Sequence, residues 1–191
     1  MQILQNEIAQ ALPPGIKADW EMFSSKLSVK KAAKREVILR QTEVCDQVIY
    51  ILEGIAASEY NTDEQHIISR FFQPGNLCTN LVSASTKTLQ SDNVIAITNL
   101  TYVTIPLDYF MDSYLHDEKI GVFFRKKILQ HLIEAKHFIS MKTSTSTEGQ
   151  YAFLETHYPE IIRMTPSKYI AAFIGITPEA LSRFLKQRAR S

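Results

Sequence analysis

The chain has 191 residues, 45% hydrophobic and 21% charged, with a net charge of +1. That balance supports a globular core and excludes a disordered, collagen-like or strongly polyanionic chain. No stretch approaches the length of a bilayer span. The opening MQILQNEIAQALPP lacks the basic head and apolar core of a secretory leader, so a cytoplasmic location is expected, with no membrane partner. The two cysteines, Cys45 and Cys78, form no CxxC pair or Cys/His cluster. They read as buried thiols in a reducing compartment, and no metal is expected.

Residues 1–26 have helical texture broken at LPPG (12–15), with Trp20, Phe23 and Leu27 able to share a face. From about 29 to 106 the texture is that of strands. EVILRQ, QVIYILEG, IAASEY, HIISRFF, NVIAI and YVTIP are short β-branched or aromatic runs between polar clusters. NTDEQ (61–65) reads as a hairpin connection and Pro74-Gly75 as a turn, while SAST (83–86) reads as a Ser/Thr-rich loop. Many short strands at close spacing point to a sandwich or barrel.

Residues 108–142 return to helical spacing. Ile120, Phe124, Ile128, Leu132, Ala135 and Ile139 recur at three- and four-residue steps, with Val122, Leu129 and Ile133 beside them. So broad an apolar face on one long helix predicts two partners, its own β domain and a second copy of the chain. KTSTSTEG (142–149) reads as a hinge. Its Thr145-Ser-Thr-Glu148 fits a capping box that starts a helix running to about His157.

Charge is unevenly spread. Residues 160–191 carry six basic and two acidic side chains, a net of +4, against −3 for the rest. A basic end on a slightly acidic body suits a polyanion. Within it, Thr165-Pro166 and Thr177-Pro178 each read as an N-cap followed by proline at the first helical position. Gly175 suits a left-handed helix end. The spacing predicts a helix over 166–173, a short turn and a helix over 178–188. Ala171 allows close approach, and Ile170, Ile174, Ile176, Leu181 and Phe184 form the shared interior. This is the pattern of a helix-turn-helix.

Its outward face carries Thr177, Pro178, Glu179, Ser182, Arg183 and Lys186. Arg can bond guanine bidentately, Glu can accept from cytosine N4, and Ser can bond base or phosphate. Lys168, Lys186, Arg188 and Arg190 suit backbone phosphates of double-stranded DNA.

Taken together, EVILRQ…VIYILEG, FFQPGN, NVIAI…YVTIP and KYIAAFIGITPEALSRFLK resemble the bacterial Crp/Fnr transcription regulators over nearly the whole chain. The resemblance implies an α+β chain in three parts. Residues 1–116 would form a cyclic-nucleotide-binding-like β-roll (a jelly-roll-like double-stranded β-helix) with N-terminal helices. Residues 117–143 would form a dimerisation helix, and residues 144–191 a helix-turn-helix domain. It also implies a homodimer on an inverted DNA repeat, with RNA polymerase as a further partner. Glu179-Ala-Leu-Ser182-Arg183 is similar to the Fnr-type recognition helix, which implies half-sites related to TTGA. With the sequence ending at Ser191, affinity is expected from the helices and dimer symmetry rather than from a wing, with recognition helices about 34 Å apart.

The family's cyclic-AMP binders hold the nucleotide with a Gly-Glu-Leu segment and a later Arg-Ser/Thr pair. By alignment with them, Thr79-Asn80-Leu81 and Gln90-Ser91 mark the effector pocket here. Asn80 stands for the family's Glu and Gln90 for its Arg. A buried phosphate needs a cation or many backbone donors, so ordinary cyclic-AMP binding is not expected and no cofactor is assigned. Iron–sulfur or heme sensing lacks a cysteine cluster or an identifiable axial ligand; His66 reads as structural.

No nucleophile motif, HExxH, phosphate loop or paired-carboxylate signature occurs, so no enzyme is expected. The alternative is a ligand-binding or interaction protein of the same fold whose helical domain does not bind DNA.

Overall fold

The computed structural model describes residues 1–61, 66–144 and 146–189, without the side chains of Asn61 and Ser144. Most of predicted connection 61–65, Thr145 of the predicted capping box, and Arg190 lie outside the described residues. Two helices, α1 (Gln2–Ala11) and α2 (Trp20–Ser24), precede the strands β1 (Ser28–Ala32), β2 (Val37–Leu39), β3 (Gln47–Glu53), β4 (Ala56–Asn61), β5 (His66–Phe72) and β6 (Leu77–Cys78). Helix α3 (Leu81–Thr86) follows, then β7 (Asn93–Ala96), β8 (Leu100–Pro106), α4 (Leu107–His116) and the long α5 (Ile120–Ser144). Four helices end the chain: α6 (Thr147–His157), α7 (Pro159–Met164), α8 (Ser167–Ile174) and α9 (Pro178–Arg188). No helix among the described residues is long and apolar enough to cross a membrane.

The strands form two four-stranded antiparallel sheets, ordered β1-β8-β3-β6 and β2-β7-β4-β5. Their alternation between sheets is the wound β-roll expected from the resemblance. β3 is buried on both faces from Val48 to Leu52, which is why it reads as a continuous apolar run. At the β3–β4 corner Gly54 has φ +88°, and a Cβ there would lie 2.3 Å from the Asn99 carbonyl oxygen, so only glycine fits.

Two apolar clusters result. The first fills the roll with Tyr50, Phe72, Val103 and Ile105, and takes in α1, Phe23 and the start of α5. The second covers the outer face of the β2-β7-β4-β5 sheet. There Ile55, Ala57, Ile68, Phe71, Ile95 and Ile97 meet Phe138 and Met141 of α5 and Tyr169, Ile170, Phe173 and Ile174 of α8. Phe71 and Phe173 have ring centroids 5.2 Å apart. Removing such a ring from a core costs about 3–5 kcal/mol, a large share of a domain's stability. This contact therefore fixes α8 on the roll.

Several expectations need correction. The SAST segment is not a loop: α3 forms because the Asn80 side chain caps it, accepting from the Ser83 N–H at 3.0 Å. Residues 107–144 are two helices, broken where the Asp117 carboxylate accepts from the N–H groups of Lys119 and Ile120. The cap of α6 is Ser146, whose hydroxyl accepts from the Gly149 N–H. Thr165 does not cap α8. It closes α7, and its buried hydroxyl has no hydrogen-bond partner among the described residues; Pro166 holds the cap position instead.

The expected single apolar face of the long helix is also divided. Ile120 and Phe124 are fully inside the chain's own core, and Ile128 and Ala135 are half-buried. Further along α5, Phe138 and Met141 are buried, while Leu129, Leu132, Ile133 and Ile139 lie between 48% and 66% exposed. The first turns of the helix are consumed by the roll.

α5 is tied to β5 by a polar cluster. Arg70 donates to the Glu134 carboxylate at 2.8 Å and meets His131 Nε2 at 3.0 Å. Burial, and then the Arg70 charge, lower the His131 pKa from 6.5 to about 4. Arg70 on β5, Lys127 and Glu134 on α5, and the Leu77 backbone surround it. Between pH 6.5 and 4 the unfolded chain binds a proton that the folded chain refuses. Stability is therefore expected to fall as pH drops through that window. Urea unfolding across pH 4–7 should show this acid limb, and His131→Gln should flatten it.

Candidate nucleic-acid interface

The turn between α8 and α9 is built as its sequence demands. Gly175 takes φ +86°, and its N–H donates to the Ala171 carbonyl at 2.9 Å; Ile176 N–H donates to the same oxygen at 3.0 Å. Thr177 then caps α9, its hydroxyl accepting from Ala180 N–H at 3.2 Å, with Pro178 at the first helical position. Such a cap contributes about 1 kcal/mol. Ala171 is fully buried where the helices approach, and Leu181 is buried beside it. Ile176 and Phe184 pack at the margin, with Phe184 edge-on to Tyr151.

The opposite side of α9 is open. Thr177, Pro178, Glu179, Ser182, Arg183 and Lys186 are exposed. The backbone N–H of Glu179 and then the Thr177 hydroxyl hold the Glu179 carboxylate below its ordinary range, with a smaller contribution from Arg183. It stays ionised and acceptor-only, as pairing with a base amino group requires. Arg183 follows four residues later on the same face. Lys168 is exposed at the start of α8, with its ammonium 4.6 Å from the Tyr169 ring centre.

Arg188 is different. It donates to Glu155 of α6 at 2.6 Å and lies over Tyr151 at 5.6 Å, so its charge is already engaged within the chain. Lys142 belongs to the structure of this region without having been singled out by sequence. It donates to the Phe173 carbonyl with its ammonium 4.3 Å from that ring, and burial lowers its pKa. A lone lysine in a polar hinge offered no signal of this.

The expected effector residues are brought together, and they bond chiefly within the chain. Asn80 donates to Asp92 at 2.8 Å, and Ser91 donates to the same oxygen at 3.1 Å. Gln90 is buried and donates to the Arg40 carbonyl at 3.0 Å, and its own carbonyl oxygen has no partner among the described residues. Thr79 donates to the Gln47 carbonyl at 3.2 Å, and Leu81 is exposed. Lys87 ends α3 in the left-handed region, exposed. A further neighbour is Asp92, a buried acidic side chain that accepts from both Asn80 and Ser91. A carboxylate there repels an anion, most strongly where water is scarce. Its position directly after Gln90-Ser91 was the available sequence signal. Cys45 and Cys78 are both free and buried, and burial raises the Cys78 pKa, which keeps it an unreactive thiol. Among the described residues, no group of three or more His, Cys, Asp and Glu is placed to hold a metal.

Residues 29–117 match the cyclic nucleotide-binding domain family. FixK2 from Bradyrhizobium japonicum has a similar structure at a TM-score of 0.67 and 16% identity, over 84% of this chain and 83% of its own. A cyclic nucleotide-binding domain containing protein from Listeria monocytogenes gives 0.68 and 16%, over 97% and 88%. A structure described as a transcriptional regulator of the Crp/Fnr family from Eubacterium rectale gives 0.65 and 15%, over 95% and 87%. No curated protein sequence matches the chain. Residues 29–117 are thus similar to cyclic nucleotide-binding domains, and the chain has the fold seen in Crp/Fnr regulators.

A ligand of the folded state raises Tm by mass action. With Asp92 buried beside Asn80 and Ser91, saturating cyclic AMP is expected to leave the melting temperature unchanged in a thermal-shift assay. A rise of several degrees would contradict this reading of the pocket.

Proposed function

We propose that the chain is a Crp/Fnr-type transcription regulator. It binds double-stranded DNA as a homodimer, and its β-roll does not take cyclic AMP in the ordinary way. The observation that carries the reading is α9. It is capped by Thr177, anchored by Leu181, and presents Glu179, Ser182 and Arg183 to solvent within its first two turns. Those are the positions from which a recognition helix reaches base edges.

The three-part division at 116–117 and 143–144 follows the same reading, with α5 as the dimerisation helix. The exposed stripe of Leu129, Leu132, Ile133 and Ile139 supports pairing with a second copy, since contiguous exposed apolar surface on a helix marks an interaction face. A two-fold pairing along this stripe would present two recognition helices to an inverted repeat.

Selection from random duplexes is expected to return inverted half-sites related to TTGA. Arg183→Ala and Glu179→Ala should each cost about 1–3 kcal/mol in specific binding and relax the preferred base at one position. Enrichment of no half-site, with affinity indifferent to both substitutions, would instead favour an interaction protein of this fold. In sedimentation equilibrium, Leu132→Asp should shift the population toward monomer, because it places a charge in the apolar interface.

A further inference from the structure

Helix α5 carries five lysine and arginine side chains, Arg125, Lys126, Lys127, Lys136 and Lys142, against a single carboxylate, Glu134. Most of these cations are used within the chain. Arg125 donates to the Tyr114 carbonyl at 2.6 Å, Lys126 to the Ala11 carbonyl, and Lys142 to the Phe173 carbonyl. Lys127 donates to the Gly75 carbonyl at 2.8 Å and pairs with Glu7. Glu134 is used as well, accepting from Arg70 at 2.8 Å and from Gln130 at 2.9 Å. Lys136 is left over. It is exposed, and among the described residues it has no hydrogen bond or ion pair.

Its place on the helix is unusual for a solvated lysine. Lys136 follows Leu129 by seven residues and Leu132 by four, and precedes Ile139 by three. Those steps put it on one line with these three exposed apolar side chains. A lysine kept for solubility belongs beside such a stripe, whereas this one interrupts it.

The stripe is the face on which a second copy is proposed to pack, and DNA binding requires that pairing to be parallel. A helix of 25 residues is about 38 Å long. The helix-turn-helix follows its C-terminal end, so antiparallel pairing would carry the two recognition helices to opposite ends of the dimer. Half-sites one DNA turn apart need both at the same end. In a parallel two-fold pair, a residue on the seam faces its own equivalent. The two copies of Lys136 then meet between apolar layers formed by Leu132 and Ile139, where water is scarce and like charges repel most strongly. No carboxylate of either α5 is free to neutralise them, because Glu134 is held by Arg70 and Gln130.

We infer that the paired α5 helices bind a compact oxyanion of the phosphate type between the two Lys136 ammonium groups. The inference rests on the homodimer proposed above. An ammonium is a point charge with three donors, suited to a small anion rich in acceptor oxygens. One copy supplies only half of the site, so the anion and the dimer stabilise each other by linkage. The regulator therefore assembles more completely, and occupies its inverted repeat more fully, when the anion is present.

The test follows dimerisation of the full chain by sedimentation equilibrium at neutral pH. Sodium phosphate replaces sodium chloride at constant ionic strength, so that general screening does not change. The dimer dissociation constant should fall as phosphate rises, with a limiting log–log slope of about one for one anion per dimer. Lys136→Leu should abolish this dependence and dimerise in chloride at least as tightly as the wild type. Lys136→Arg, which keeps the charge, should retain the dependence. Calorimetric titration of the concentrated dimer with phosphate gives a second readout: one site per two chains in the wild type and none in Lys136→Leu. Circular dichroism verifies that each variant folds. Absence of a phosphate effect on the wild type in both measurements overturns this inference alone, the two lysines then extending along their stems to water. A phosphate effect that survives Lys136→Leu overturns it equally. A wild type that stays monomeric in both salts overturns the homodimer reading and this inference with it.

Discussion

The packing of α8 on the outer face of the β2-β7-β4-β5 sheet is the contact on which the arrangement of this chain depends. That sheet is apolar on both sides. Phe72, Val94 and Ala96 point into the roll, while Phe71, Ile95 and Ile97 point outward. A strand period of two makes this unavoidable once neighbouring positions are all apolar. The outer face must then be covered, and α8 covers it with Tyr169, Ile170, Phe173 and Ile174. The helix-turn-helix is consequently a third layer over the roll, and α9 is aimed by the way α8 is seated.

The long helix joins the same cluster. Phe138 and Met141 enter it from α5, and Lys142 bonds to the end of α8. One turn or more earlier, His131 and Glu134 hold Arg70 of β5. Roll, long helix and C-terminal helices thus meet at one junction. Turning the helix-turn-helix away from its present seat would expose Ile68, Phe71 and Phe173 together. At about 1.5–3 kcal/mol for each large apolar side chain, that rearrangement is costly without compensation elsewhere.

Much of this was legible along the chain. β2, β3, β5 and β7 fall within the runs that alternate or cluster β-branched residues, and β4 and β8 overlap them, because half-buried pleated surface selects such residues. Gly175 and Thr177-Pro178 declare their roles locally, through backbone conformation and a single hydrogen bond. What was hidden depends on distant partners. α3 looks like a polar loop until Asn80 is seen capping it, and the short α7 is set by Pro159 in a segment with weak periodicity. Arg188 reads as a phosphate ligand until Glu155 is found beside it. The effector region reads as neutral until Asp92 is buried next to Asn80 and Ser91.

By itself the sequence determined the elements whose causes are local: strand texture, helix caps, the tight turn and the polar face of α9. Only the tertiary structure decided which apolar face meets which. It divided the long helix, burying Ile120 and Phe124 in the roll and Phe138 and Met141 against the outer sheet while leaving Leu129, Leu132, Ile133 and Ile139 exposed. It placed Arg35 in the same cleft as Lys168, more than 130 positions away in sequence. Side chains so distant are related by packing geometry, and periodicity along the chain carries no record of it.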